Sequence, residues 1–394
     1  MKLAPDPAVP HRNALLDQDA VARRLSLRAC ARVYAKYRVG ESLRVAYRSD
    51  GGAYLAVRTF RDGGSGDAYR RAGGRAVPTG THEPVLHAPD LDAVFWTFPN
   101  DRRLTALPLV AGRSPALDRL LGRTCAGTRL VAYAPERSAS VQCLDEAGRV
   151  LAYAKVQLGD ASRRERRAVE AVTSSLGRAD RNLRVPRVIA SSDDAGALAL
   201  ESVEGRRLDA LTGRQLSAGL ERLGAALARL HSIGPVSAAR FERLDVTRLA
   251  RAVGVIAAVR PDAGSRAAEL LARLLERRED AAGPLVCLHG DPNLRNALIA
   301  DERVVLLDFE HLGAGPAATD LGHVLAGLLA AGMSAAGEAF LNGYAAVAPL
   351  PSRASLRWFT AASVLARRAL TAVNRLRTGD LQRLPGLLAE ALTV

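Results

Sequence analysis

The residues His289-Gly290-Asp291-Pro292-Asn293-Leu294-Arg295-Asn296 and the later triplet Asp308-Phe309-Glu310 put carboxylates, an amide and an imidazole at spacings that can do chemistry. Moving a phosphoryl group to a hydroxyl needs a carboxylate beside the attacking oxygen and oxygen ligands for the magnesium ions that bridge the phosphates. In a loop of the form H-x-D-x-x-x-x-N, Asp291 can take the proton and Asn296 can hold a metal. Residues 297–300 and 304–307 read as two short apolar strands around the polar turn Asp301-Glu302. Such a hairpin returns the chain so that Asp308 stands beside Asn296, a hard-oxygen pair suited to magnesium.

This combination resembles the aminoglycoside phosphotransferase and choline kinase family, which shares the protein kinase-like fold. There an H-G-D loop runs on to an Asn, the metal Asp opens a D-F/W-E triplet, and an Asp-Leu pair follows, here Asp320-Leu321-Gly322. The resemblance implies an α+β, bilobal protein kinase-like fold with a β-rich nucleotide lobe and a helical C-terminal lobe. It further implies a small-molecule phosphotransferase that uses ATP, or alternatively GTP, with Mg2+. Asp291 would be the base, with His289 supporting the loop in the catalytic set, and Asn296 and Asp308 the metal ligands. Asp320 reads from local sequence as a helix N-cap; the resemblance gives it a second role, bracing the catalytic loop. Asn293 stands where the family loop often carries histidine, which leaves the acceptor side open.

The elements that must serve this centre can be sought upstream. Of 55 Lys and Arg residues only Lys2, Lys36 and Lys155 are lysines, so a lysine kept here is a candidate for a role that needs one. Lys155 ends the strand-like run Val150-Leu151-Ala152-Tyr153-Ala154, and it matches the family's third strand, whose lysine meets the phosphates as a compact charge. A charged helix over 162–176 follows, and a glutamate on it should pair with that lysine. Its distance from Val185-Pro186-Arg187-Val188, taken as the next strand, selects Glu170, with Glu165 in reserve. Upstream, residues 129–133 and 139–144 read as a hairpin around Ala134-Pro135-Glu136-Arg137-Ser138, where a kinase carries its phosphate-covering loop. Neither G-x-G-x-x-G nor a Walker motif is present, so backbone groups and a hydroxyl, with Ser138 as candidate, would do that work.

Residues 197–200 form an apolar strand leading into Glu201-Ser202-Val203-Glu204-Gly205, which resembles the family's hinge. Glu201 to Val203 would meet the adenine edge there through their backbone. Leu216, Leu220, Leu223, Leu227 and Leu230 then repeat at three and four residues, which predicts a helix with one apolar stripe. His231 follows it and is assigned structural hydrogen bonding.

Residues 1–125 lie outside the kinase-like pattern and read as an N-terminal β-rich accessory module, ahead of a nucleotide-binding lobe over 126–203 and a helical lobe over 204–394. The module shows a hairpin around Ser49-Asp50-Gly51-Gly52, a glycine-rich mobile loop over 63–80, and strands over 93–98 and 104–110. Tyr37 to Val45 faintly echoes Tyr133 to Val141, too weakly to establish a duplication.

The four scattered cysteines, Cys30, Cys125, Cys143 and Cys287, show no metal spacing and suit a reducing cytoplasm. No apolar run is long enough for a membrane span, and the N-terminus lacks a signal-peptide core. The net charge of +14 is spread along the chain and aromatics make up 4%, which argues against nucleic acid as ligand. Beyond Met333 the only acids are Glu338, Asp380 and Glu390, against seven arginines. That suits a neutral or anionic hydroxyl compound better than a polycationic one, and Arg367, Arg368, Asn374, Arg375 and Arg377 are candidates for an acceptor wall. Two alternatives stay open: a kinase-like enzyme acting on a peptide or protein side chain, and a catalytically silent nucleotide-binding protein. Oligomeric state is not readable.

Overall fold

A computed structural model describes residues 3–80, 82–176, 180, 182–236, 240–241 and 246–393, so Lys2 lies outside the described residues. The chain divides into two compact units. The first comprises Met1–Arg163, Ile189–Leu200 and Val373–Thr378; the second comprises Arg164–Val188, Glu201–Ala372 and Gly379–Val394.

The first unit carries β1 (Cys30–Arg38), β2 (Ser42–Ser49), β3 (Tyr54–Thr59), β4 (Val85–Ala88) and β5 (Ala93–Thr97), which form a sheet in the order β1-β2-β3-β5-β4. Next come β6 (Gly127–Ala134), β7 (Ser138–Leu144) and β8 (Val150–Gln157). After β9 (Leu183–Arg184), which pairs in the second unit, β10 (Val188–Ser192) and β11 (Ala197–Glu201) complete a second sheet, ordered β6-β7-β8-β11-β10. The two sheets therefore share one succession: three strands, a helix, then two strands of which the later one pairs with the third. Their inner faces contribute to a common core, with Ala46, Val94 and Trp96 from one and Tyr133, Val141 and Ala154 from the other. Strand β7 shows how the sequence does this: Ala139, Val141 and Cys143 alternate inward, as the period of two requires.

Three expectations are corrected. The glycine-rich stretch over 63–80 contains a helix, Ser65–Gly73, whose Ala68 and Ala72 are buried on one face. Residues 104–110 are not a strand but a hydrogen-bonded turn at Leu104 leading into the short helix Leu107–Val110. Its Pro108 lacks the N–H that a sheet would need and fits a helix start, and an apolar run this short carries no decisive period. The strand expected at Val185 starts only at Val188, beyond Pro186.

The second unit holds β12 (Arg206–Arg207), β13 (Arg240–Phe241), β14 (Leu285–Leu288), β15 (Ala297–Ala300), β16 (Arg303–Leu306) and β17 (Gly313–Pro316) in two small sheets, β12-β15-β16-β9 and β13-β17-β14. The leucine stripe forms the helix Gly213–Ser232, with Leu220, Leu223, Leu227 and Leu230 fully buried. It packs backbone to backbone on the helix Gly337–Ala345. A Cβ on Gly224 would come 2.0 Å from the Phe340 carbonyl oxygen, and one on Gly343 would come 1.8 Å from that of Glu221. Burying such stripes at roughly 25 cal/mol per Å2 of apolar surface is the main force holding the helices together. No helix among the described residues is long and apolar enough to cross a membrane, and the four cysteines are free thiols.

Candidate active site

Strand β14 delivers the chain to His289. Gly290 follows at φ +82°, where a Cβ would lie 2.0 Å from the His311 carbonyl oxygen, so the bend admits only glycine. Asp320 holds this bend from below. Its Oδ2 accepts the His289 N–H at 2.7 Å and its Oδ1 the Gly290 N–H at 3.1 Å, while His231 Nε2 lies 3.3 Å from Oδ2. Burial would raise the Asp320 carboxyl, but the His231 hydrogen bond and the loop amides outweigh it and hold the group below its ordinary value. Asp320 is thus the brace that the family resemblance implied and not an N-cap: the helix Ala318–Ala330 is capped at Ala317, and Asp320 points from its first turn into the loop. His231, bonded through Nδ1 to the Tyr344 hydroxyl at 3.0 Å, has the structural hydrogen bonds expected of it.

Both ring nitrogens of His289 are committed. Nε2 donates to the Leu307 carbonyl at 3.0 Å and Nδ1 accepts the Asp291 N–H at 3.3 Å. Complete burial pulls its pKa down, so the ring is a neutral strut joining the loop to the end of β16. Asp291 is more open. Its Oδ2 accepts from Asn293 Nδ2 at 3.2 Å and from Asn296 Nδ2 at 3.5 Å, and its Oδ1 faces His323 Nε2 at 3.3 Å and Arg367 Nη1 at 3.8 Å. Burial raises the Asp291 carboxyl above its ordinary value, and the Arg367 charge opposes this.

Asn293 caps a short helical turn, Leu294–Asn296, by accepting the Arg295 N–H at 3.0 Å. Asn296 donates Nδ2 to the Asp291 carbonyl at 3.1 Å, which leaves its Oδ1 as the potential metal ligand. The hairpin expected on β15 and β16 is present, with Ala297 opposite Leu306 and Asp301 turning at φ +52°. Leu307 N–H bonds to the Asn296 carbonyl at 2.8 Å, so Asn296 and Asp308 flank one hairpin mouth; Asp308 sits at φ +69°. Two hard oxygen ligands fit magnesium, which normally keeps waters and takes phosphate oxygens for the rest of its shell.

The nucleotide-side candidates fall as follows. Lys155 lies in β8 opposite Ser140 of β7, and Ser138 opens β7 opposite Gln157. In the helix Ala161–Leu176, Glu165 is completely buried on the stripe with Ala161, Ala168, Val169, Val172 and Leu176, whereas Glu170 is exposed and pairs with Arg166 at 3.7 Å. Glu201 ends β11. Burial would raise its carboxyl, but Arg187 and Arg184, at 2.8 and 3.0 Å, hold it low. Val203 is half-buried in the connection that follows.

His323 went unnoticed in the sequence. It lies one helical step from Asp320, and that spacing of three was the available signal. Burial and neighbouring arginines drive its pKa far down; its Nε2 lies 3.3 Å from Asp291 Oδ1, and among the described residues its buried Nδ1 has no hydrogen-bond partner. Arg367 and Arg368 lie on a π-helical segment, Val364–Ala369; Arg368 donates to the His323 carbonyl at 3.0 Å. Such segments recur at functional sites. Arg375 instead stacks 4.4 Å over the Tyr34 ring and donates to the Ala35 carbonyl.

A brace, a loop carboxylate and a hard-oxygen hairpin on this α+β scaffold define a protein kinase-like phosphotransferase. Residues 131–359 match the model of the phosphotransferase enzyme family, and the chain belongs to that family. Its reaction type is phosphoryl transfer. Similar solved folds include a thermostable mutant of aminoglycoside phosphotransferase APH(4)-Ia, at 14% identity and TM-score 0.56, covering 70% of this chain and 97% of that one. Spectinomycin phosphotransferase APH(9)-Ia, solved with ADP and spectinomycin, matches at 13% and 0.53 over 71% and 97%. A choline/ethanolamine kinase family protein from Mesorhizobium loti matches at 17% and 0.51 over 67% and 87%. No curated protein sequence matches the chain significantly.

Proposed function

We propose that this protein transfers the γ-phosphoryl group of ATP, with magnesium, to a hydroxyl of a small molecule such as a sugar, aminosugar, aminoglycoside-like compound or related metabolite. The observation that carries the reading is Asp291, a carboxylate raised in pKa by burial and set in a loop braced by Asp320. Asp291 orients the acceptor hydroxyl and takes its proton; Asn296 and Asp308 hold magnesium. Lys155 serves the phosphates, Glu201 to Val203 the adenine edge and Ser138 the phosphate-covering turn. Burial favours Glu165 over Glu170 as the helix carboxylate of the nucleotide site. The ADP-bound state of the similar spectinomycin enzyme supports nucleotide use. Arg367 beside Asp291 favours an acceptor that carries an anionic group near the reacting hydroxyl.

The test is transfer from labelled ATP or GTP, with magnesium, to sugars, sugar acids, aminosugars, aminoglycosides, choline-like alcohols and nucleosides, with Asp291→Asn as blank. Transfer lost in the variant establishes the reaction and names the acceptor. Nucleotide binding without transfer to any of them moves the reading to a peptide acceptor or a silent protein, and absence of nucleotide binding overturns it.

A further inference from the structure

The turn between β6 and β7, proposed above to cover the phosphates, does not stand alone. Glu136 lies at its tip, at φ +58°, a left-handed conformation unfavourable for a non-glycine residue. Such strain persists only where the surroundings over-determine it. Here they do, because Glu136 is 1% exposed and enclosed by residues from the first 125. Its Oε2 accepts a close hydrogen bond from Arg58 and its Oε1 one from Arg102 Nε at 2.7 Å, while Arg44 lies at 3.9 Å. Arg58 and Arg102 also stand 5.3 and 5.5 Å from the Phe60 ring centroid, which fixes their approach. The Glu136 N–H is spent on Asp101 Oδ2 at 2.7 Å, and the Pro135 carbonyl accepts from Arg44 at 3.1 Å.

The source of these arginines is informative. The two sheets share their strand succession, and the sequence echo aligns Val45 with Val141. Arg44 then matches Ser140, and their cross-strand partners are Arg58 on β3 and Lys155 on β8. Arg58 thus occupies in the first sheet the place that Lys155 holds in the second. By the offset that relates Arg58 to Lys155, 97 residues, the buried Glu165 corresponds to Ala68. The first sheet has the same strand frame, with Ala68 where the following helix of the second has Glu165, and its cation Arg58 is turned onto the neighbouring turn.

We propose that Glu136 is a positioning residue for nucleotide binding, and that the N-terminal module, through Arg58 of its sheet and Arg102 of the loop after β5, holds the β6–β7 turn in its phosphate-covering shape. This rests on the nucleotide reading given above. With the turn glycine-poor, the rigidity that backbone flexibility cannot supply comes from an ionic clamp. Part of the nucleotide affinity is then set by residues that never touch the nucleotide.

The experiment measures ADP binding with magnesium, and KM for ATP against kcat once an acceptor is known, in the full chain and in Arg102→Ala, Arg102→Lys and Glu136→Gln. Arg102→Ala removes one arm of the clamp and leaves Arg58. It should weaken ADP binding and raise KM for ATP about tenfold with kcat within about twofold, the split expected when binding alone is lost. Arg102→Lys, which keeps a cation, should recover most of this, and Glu136→Gln should exceed both. Folded variants, checked by melting, that bind ADP like the wild-type chain would overturn the inference while leaving the nucleotide reading intact. A wild-type chain that binds no ADP would remove the reading itself, and the inference with it.

Discussion

Two buried carboxylates do the same mechanical task in this protein and differ in charge economy. Asp320 accepts two backbone amides of the catalytic loop, and Asp101 accepts the Glu136 amide of the β6–β7 turn together with those of Arg103 and Leu104. Around Asp320, His231 supplies a polar N–H aimed at the carboxylate, and the group stays below its ordinary pKa despite burial. Around Asp101 the side-chain donor is the Tyr133 hydroxyl at 2.7 Å, itself accepting from Trp96, and burial wins: the carboxyl is raised. Depth does not decide the ionisation of a brace. The donors around it do.

The comparison needs a baseline in which chemistry is lost but both braces remain. Asp291→Asn should supply it, with transfer falling by about 10²–10⁴ and ADP binding retained. Since the folded-state pKa of Asp291 is raised, its ionisation weighs against folding. Its contribution is fully present below the unfolded pKa and lost as pH rises through the folded one. The asparagine variant should therefore melt no lower than the parent at neutral pH, an advantage that vanishes in acid; a clear drop in Tm at pH 7 would contradict this.

Asp320→Ala should come next, destabilising the fold by about 3–5 kcal/mol, the usual result of removing one partner from a buried charged network. It should also cut kcat/KM about a hundredfold or more through misplacement of Asp291. Asp101→Asn keeps one acceptor oxygen, enough for the Arg103 and Leu104 amides, and turns its NH2 towards the Glu136 amide, so it should lose about 1–3 kcal/mol. Equal losses at the two sites, read from denaturant melts, would erase the distinction. The pH dependence sharpens it further. The stability due to Asp320 is present above its unfolded pKa and fades as pH falls through the lowered folded value, whereas Asp101 keeps its contribution in acid. Acidification should therefore strip exchange protection from the amides of His289 and Gly290 before that of Glu136.

The smallest effect concerns Arg367. Its charge opposes the rise in the Asp291 pKa, so Arg367→Ala should move the acid limb of the kcat/KM profile to higher pH. A limb that stays in place would deny the pairing.

How legible all this was depended on whether function fixes residue type at a short spacing. His289, Asp291, Asn296 and Asp308 stood out because one loop and one hairpin deliver them together, and the hairpin has the expected pairing. Asp320 was ambiguous, since an aspartate near a helix start can cap it or reach beyond it, and only the tertiary fold shows the His289 and Gly290 amides above it. Distance along the chain selects Glu170 on that helix, whereas burial phase points to Glu165, which shares the buried stripe with Ala161, Ala168 and Val172. The N-terminal hairpin was readable from its turn, but the helix Ser65–Gly73 was hidden by glycines that flank it. The common strand order of the two sheets left only a tyrosine and a turn in the sequence, because β-topology is set by burial on a period of two and tolerates nearly any residues that respect it.

The π-helical segment Val364–Ala369 acts as a counting device. A π turn lodges one more residue than an α turn, so positions beyond 369 are rotated by about 100° from the phase set before 364. Deleting a single residue there would let the helix close into an ordinary α register and swing every later side chain to a new face. Insertions and deletions in this stretch should therefore be far less tolerated than substitutions, because length itself carries the information.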